Sequence, residues 1–246
     1  MTVVELTCAL PINSIAMMEK QRPHFRDRID AGKQLAERLK SYQSAETIVL
    51  AVPRGGVPVA VEVAQSLNAP LDVVITRKIP IPHNPEAGYG AVAEDGTVFL
   101  NEPLVGQLGL SQRQIQYQAE KVLVEIERRS AIYRGKRPRA SLVDKKAVII
   151  DDGLASGFTM IAAIKSVERR RAARMVAASP TASGNAYKLI KPMCDALVCI
   201  VVSHSYHFAV ASFYQRWHDL TDEEVSNYLQ MWQKRHPSIK GRETAK

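Results

Sequence analysis

Cysteine is scarce in this chain, and its few copies are poorly placed for metal or redox work. Only Cys8, Cys194 and Cys199 occur, with no CxxC spacing. Such odd, sparse usage argues against a zinc knuckle or a disulfide scaffold and is expected of a protein in the reducing cytoplasm. Long apolar runs are missing too. No stretch approaches the roughly 18 residues needed to cross a bilayer, and the N-terminus MTVVELTCALPINSIAMMEK lacks the basic start of a secretory signal. A membrane is therefore not an expected partner. The chain also lacks GxxxxGK[ST], GxGxxG and HExxH, so P-loop, dinucleotide and zincin readings have no support. His24, His83, His218 and His236 show no metal-ligand spacing.

What is present is ordinary globular composition. The chain has 246 residues, 46% hydrophobic and 24% charged, enough for one full-sized α/β domain with a small appended element. The net charge of +8 is unevenly placed. Eight Lys/Arg fall between Arg128 and Lys146 against the single Asp144, and Arg169, Arg170, Arg171 and Arg174 follow. A basic surface attracts nucleic acid. Only Tyr133 interleaves with the basic residues, however, so a solvated helix end and linker is the preferred reading and nucleic acid is not an expected partner.

Strands and helices alternate along the chain. Ile29, Gly32, Leu35, Ala36 and Leu39 fall at helical spacing, and TIVLAV (47–52) is a short buried strand closed by PRGGVP. Val57, Ala60, Val63, Ala64 and Leu67 mark a helix with Pro58 in its first turn, and LDVVIT (71–76) is a second strand. The Pro- and Gly-rich stretch 77–101 reads as a long loop with short strands around GAVA and TVFL. A long helix is predicted from Ser111 to Tyr133, then strands at 147–150, 174–179 and 196–202, with a helix carrying Met160, Ile164 and Val167 after the first of these. Thr221 and Glu224 have the spacing of a capping box for a last helix burying Val225, Tyr228, Leu229 and Trp232. Near-continuous apolar strands alternating with helices predict a mostly parallel twisted sheet with helices on both faces. Ligands of such sheets bind beyond the carboxyl ends of the strands.

Three loops leave those ends. Asp151 and Asp152 follow a buried run, and two adjacent carboxylates are costly to desolvate unless they meet hydroxyls or a cation. Vicinal ribose hydroxyls can donate to such a pair. Small residues follow, through Ala155, Ser156, Gly157, Phe158 and Thr159, and lead into a helix whose N-terminus favours a phosphate. Arg54, Gly55 and Gly56 after the first strand offer an anion nest with a bidentate donor, and Arg77 and Lys78 after the second add cations at the same edge.

Taken together, these loops resemble the type I phosphoribosyltransferases, whose cosubstrate is 5-phosphoribosyl 1-diphosphate (PRPP). FRDRIDAGKQLAERL, VPRGGVPVAVEVA, NPEAGYGAVAEDG and DLTDEEV are similar to the branch usually described by the family name alone, over about Phe25 to Val225. The resemblance implies a phosphoribosyltransferase fold with a small hood, spanning 25–246 with its C-terminal helix behind an N-terminal extension over 1–24. It implies that Asp151 and Asp152 hold the ribose hydroxyls and that Ala155–Thr159 hold the 5-phosphate. Arg54, Gly55 and Gly56 would form the diphosphate loop. Arg77 and Lys78 would stabilise the departing diphosphate, and 77–94 would match the family's mobile loop. Mg²⁺ would be bound with PRPP, and the products would be diphosphate and a phosphoribosylated nitrogenous acceptor.

The slot three residues after Asp152 carries Ala155 where 6-oxopurine members have an Asp, which disfavours hypoxanthine or guanine as acceptor. His204 and His207, with Tyr206 and Phe208, fall where the hood would lie, although a packed loop is the ordinary reading. Glu94 sits either near the anomeric carbon or in a loop-stabilising ion pair; Trp217 and Trp232 read as packing residues. Relatives commonly dimerise, which makes a homodimer through 111–133 or the N-terminal segment an open expectation. The alternative function is a non-catalytic PRPP- or nucleotide-binding regulatory protein that contacts RNA through its basic stretches.

Overall fold

β-Branched and aliphatic residues dominate five short runs, and each of them becomes a strand of one sheet. The computed structural model describes residues 24–81 and 84–236. Cys8, His83 and the expected extension over 1–24, His24 apart, lie outside them. The elements in chain order are α1 (Arg28–Leu39), β1 (Thr47–Ala51), α2 (Gly56–Leu67), β2 (Leu71–Val73), β3 (Thr76–Ile81), β4 (Asn84–Ala93), β5 (Val98–Leu100) and α3 (Glu102–Leu108). They continue as α4 (Gln112–Arg134), β6 (Lys146–Ile150), α5 (Phe158–Arg169), β7 (Arg174–Ser183), α6 (Gly184–Ile190), β8 (Ala196–Ser203) and α7 (Asp222–Arg235).

The main sheet has the order β2-β1-β6-β7-β8, and every neighbouring pair in it is parallel. All five residues of β1 are buried, as a strand covered on both faces requires. Val49, Ala51, Val148 and Ile150 face a core shared with α1, α2, α4 and α7, while Ile48, Leu50 and Ile149 face α5 and α6. The α/β class with helices on both faces follows directly from this two-sided packing. The chain winds from β1 outward to β2 and, separately, from β6 outward through β7 to β8. The winding therefore reverses between β1 and β6, the place where sheets of this kind form a ligand-binding crevice beyond the carboxyl ends of the strands.

Two expectations need correction. The strand predicted over 71–76 ends at Val73, and the stretch 77–101 is not a long loop, although the short strands expected around GAVA and TVFL are present as the end of β4 and as β5. β3, β4 and β5 form a second, antiparallel sheet packed on α4 and α5. Prolines and glycines disguised it. Pro80 lies on an edge strand at a register shift, where a missing N–H is tolerated. Gly90 sits so close to β5 that a β-carbon would lie 2.4 Å from the Phe99 carbonyl oxygen.

The helix termini agree with the sequence. Ser111 and Gln114 close a capping box on α4, and Thr221 and Glu224 close one on α7. The small hood is built from two distant segments. Phe25 pairs in parallel with Tyr214, through Phe25 N–H to Phe213 O at 2.9 Å and Gln215 N–H to Phe25 O at 2.8 Å. Phe25, Ala31, Phe213 and Tyr214 form its buried centre, with Phe208, Val210 and Trp217 packed around them.

Candidate active site

The loops after β1 and β6 interlock at the crevice. Val52 N–H donates to Ile150 O at 2.8 Å, which ties the two strand ends together. Gly55 then lies against the Asp152 carboxylate, and a β-carbon there would sit 1.9 Å from Oδ2. A β-carbon on Gly56 would lie 2.5 Å from Ile150 O. Two glycines are needed because two loops share a space that side chains would fill. The Pro53–Arg54 peptide is cis.

The Asp151 and Asp152 carboxyls each accept from a protein donor, and the two side chains also interact with each other. Asp152 N–H donates to Asp151 Oδ1 at 2.8 Å, and Arg28 Nε donates to Asp152 Oδ2 at 2.7 Å. Burial pushes the Asp151 carboxyl well above the usual range, and the neighbouring Asp152 charge pushes it further. The cation that the carboxylate pair demanded is thus Arg28. Its guanidinium also stacks on the Trp217 ring at 3.8 Å and donates to His218 O at 2.9 Å. Tyr214 Oη donates to Asp152 O at 2.6 Å, and burial raises that phenol far above its ordinary value.

The small-residue loop that follows is fixed from the β7 side. Leu154 N–H donates to Thr181 O at 2.9 Å, Ser183 N–H donates to Leu154 O at 2.8 Å, and Ser183 Oγ donates to Ala155 O at 2.7 Å. Ala155 and Ser156 are exposed. Gly157 adopts φ +82° as the N-cap of α5, a left-handed conformation natural to glycine, and no side chain caps this helix. The start of α5 therefore presents backbone N–H groups without a side-chain acceptor. Phe158 is held by a ring contact to Phe99 of β5 at 5.8 Å, so the second sheet braces the helix start.

Arg54 and Arg77 belong to one electrostatic neighbourhood. Burial lowers the Arg77 pKa, and the charges of Arg129 and Arg54 add to the effect. Arg77 Nη1 donates to Glu125 Oε1 at 2.8 Å, and Glu125 also accepts from Arg128 and Arg129. Asp222 closes the network by accepting from Arg128 at 2.6 Å and from Tyr133 Oη at 2.5 Å. Lys78 is the next residue on the same strand, so it faces the other side of β3 and packs beside Gly88. Arg77 and Lys78 therefore leave β3 on opposite faces.

The remaining candidates separate clearly. Glu94 is 6% exposed and paired with Arg134, which donates to Glu94 Oε2 at 2.5 Å and to Asp72 Oδ1 at 3.0 Å. Of the two roles open to Glu94, the ion pair is the one present. The SHSYHF loop is packed at its ends and exposed at its centre. Tyr206 is 96% exposed and His207 is exposed, while Ser203 is buried and Phe208 turns inward against Phe213. His204 packs against Gly184 and lines a groove of about 840 Å³ with Tyr187, Lys188 and Lys191. Sequence reasoning missed Arg28 and Tyr214 and took Trp217 for packing. The available signal was a cation in the first turn of α1, at the helix end that disfavours positive charge.

Residues 26–212 match the phosphoribosyl transferase domain family. The chain belongs to this family. The matched span of the phosphoribosyl transferase domain includes Arg28 and every loop at the β1/β6 crevice, and it ends before Tyr214 and Trp217. Two curated relatives from Mycobacterium tuberculosis, named "Putative phosphoribosyl transferase" Rv0571c (strain H37Rv) and MT0597 (strain CDC 1551), are each 39% identical over 205 residues. The alignment covers 83% of this chain and 46% of either relative, so the chain spans less than half the length of the curated relatives it matches. The crystal structure of TT1426 from Thermus thermophilus is similar at 36% identity and a TM-score of 0.71, covering 85% of this chain and 99% of that one.

Proposed function

We propose that this domain binds PRPP and transfers its ribose 5-phosphate group to a nitrogenous acceptor with release of diphosphate. The observation that carries this reading is the contact of Gly55 with the Asp152 carboxylate. It brings the glycine loop and the acidic loop to one crevice, as a ligand with a phosphate on each side of a ribose requires.

In this reading Asp151 and Asp152 accept hydrogen bonds from the ribose hydroxyls. The N–H groups of Ala155–Thr159, with the Ser156 and Thr159 hydroxyls, hold the 5-phosphate at the start of α5. Arg54, Gly55 and Gly56 hold the diphosphate, and Arg77 and Lys78 stabilise it as it departs, from opposite faces of β3. Bond cleavage at the anomeric carbon leaves positive charge on the sugar and negative charge on the diphosphate. The chain answers with fixed charges and with exclusion of water. Mg²⁺ would be bound together with PRPP; among the described residues no group of three or more His, Cys, Asp or Glu gathers to hold a metal ion. Bound with PRPP, Mg²⁺ would supply counter-charge for the diphosphate. Ala155 offers no proton-transfer group, which argues against a 6-oxopurine acceptor.

Thermal-shift measurements with PRPP and Mg²⁺ test the reading. Stabilisation of the wild type that Asp152→Asn sharply reduces is expected, whereas no shift at millimolar PRPP overturns it. Diphosphate release across a panel of nitrogenous bases separates a transferase from a protein that only binds PRPP.

A further inference from the structure

Arg28 occupies an unusual place. It is the first residue of α1, where the helix dipole disfavours a cation, and it is only 7% exposed. Neither the dipole nor burial favours a guanidinium there, so its partners must account for its position. Those partners come from two other parts of the fold. Nε meets Asp152 Oδ2 at 2.7 Å in the loop after β6. Nη1 meets His218 O at 2.9 Å, and the guanidinium plane stacks on Trp217 at 3.8 Å in the segment after β8. The Trp217 ring in turn contacts Tyr214 at 5.1 Å, and Tyr214 holds the Asp152 carbonyl. One guanidinium thus joins the acidic loop to the hood.

We propose that Arg28 is a positioning residue that aims the Asp152 carboxylate at the ribose, with Trp217 and the His218 carbonyl holding the guanidinium in register. The inference rests on the PRPP reading above. Three features of the geometry support it. Arg28 takes only one of the two Asp152 oxygens. The contact is a charge-assisted hydrogen bond of near-ideal length. Stacking on Trp217 fixes the plane of the fork, which a flexible lysine cannot reproduce. Without Arg28, the two adjacent carboxyls in this half-buried site would lose the counter-charge and the orientation that it supplies.

The test uses three ligands, because a positioning role discriminates among them and a merely structural one does not. Isothermal titration calorimetry of the wild type, Arg28→Gln, Arg28→Lys and Trp217→Leu would be run with PRPP, ribose 5-phosphate and inorganic diphosphate, each with Mg²⁺. The expected result for Arg28→Gln is at least about tenfold weaker binding of the two ribose ligands, with diphosphate held within about twofold. Arg28→Lys should recover part of the loss, and Trp217→Leu should show the same pattern at smaller amplitude. Equal weakening of all three ligands overturns the proposal in favour of a structural role, and so does unchanged binding of the ribose ligands. If Arg28→Gln does not fold, the ligand pattern of Arg28→Lys and Trp217→Leu decides by the same criteria. A wild type that binds diphosphate alone overturns the ribose assignment. A wild type that binds none of the three overturns the PRPP reading, and this inference with it.

Discussion

Gly55 and Asp152 lie 97 positions apart in the chain, yet the carboxylate of one occupies the space that a side chain on the other would need. A methyl group at position 55 would sit 1.9 Å from Oδ2 and 2.4 Å from Cγ of Asp152. No rotation of the methyl relieves a clash at that distance, so Gly55→Ala must move the carboxylate or its loop. The variant should lose about 1–3 kcal/mol of stability and, more tellingly, its stabilisation by PRPP. Urea unfolding with and without PRPP checks both. Full retention of the PRPP effect would show that the Gly55–Asp152 contact is incidental to ligand binding.

The Arg134 network gives the opposite pattern. Side-chain exposure is 3% for Arg134 and 1% for Glu94, and Asp72 completes the cluster away from the crevice. Arg134→Met leaves the buried Glu94 and the half-buried Asp72 without their main counter-charge. The expected cost is about 3 kcal/mol or more, read as a lower urea midpoint with unchanged slope. PRPP affinity of the folded fraction should stay within about twofold. A selective loss of affinity at unchanged stability would return Glu94 to the site.

The contrast between these two positions shows what the sequence could tell. Strands such as TIVLA and KAVII are near-continuously apolar, and that pattern alone predicts a parallel sheet covered on both faces. The loops at its carboxyl edge were legible because ligand chemistry there needs small and charged residues together. The second sheet was hidden because Pro80, Gly88 and Gly90 mark loops in most contexts and are tolerated here by an edge position and close strand contact. Arg28 was hidden for a different reason. Its partners are Asp152, Trp217 and His218, more than a hundred residues away, and nothing local to FRDRID announces them.

Glu125 links the chain's acid sensitivity to the cation cluster. Hydrogen bonding from Arg128 first, and then from Arg129, holds its carboxyl down from 4.5 to about 2. A depressed carboxyl contributes stability that is complete above its unfolded value and is lost as pH falls toward the folded one. Wild type should therefore lose stability between about pH 4.5 and 2 through this group, and Glu125→Gln should flatten that part of the Tm profile. The effect is expected below about 1 kcal/mol, because Glu125 is a third exposed and solvent screens the pair. A variant with the same acid limb as wild type would rule out this origin.

Asp151 should behave with the opposite sign. Its carboxyl is raised by burial and by the Asp152 charge. Below the unfolded value of 3.8 it is protonated in both states, and its contribution to stability is fully present. As pH rises, the unfolded chain ionises first and the native state loses ground until the raised folded value is reached. Asp151→Asn removes that penalty while keeping the shape. The Tm curves of variant and wild type should meet near about pH 3 and separate upward, with the variant the more stable at neutral pH. The same change removes an acceptor proposed for the ribose hydroxyls, so PRPP and ribose 5-phosphate should bind more weakly while diphosphate does not. Scanning calorimetry across pH and titration with the three ligands measure the two effects independently. Greater stability with weaker ribose binding is what a carboxyl kept for function at a cost to the fold must give; a destabilised Asp151→Asn at neutral pH would instead assign Asp151 a structural role.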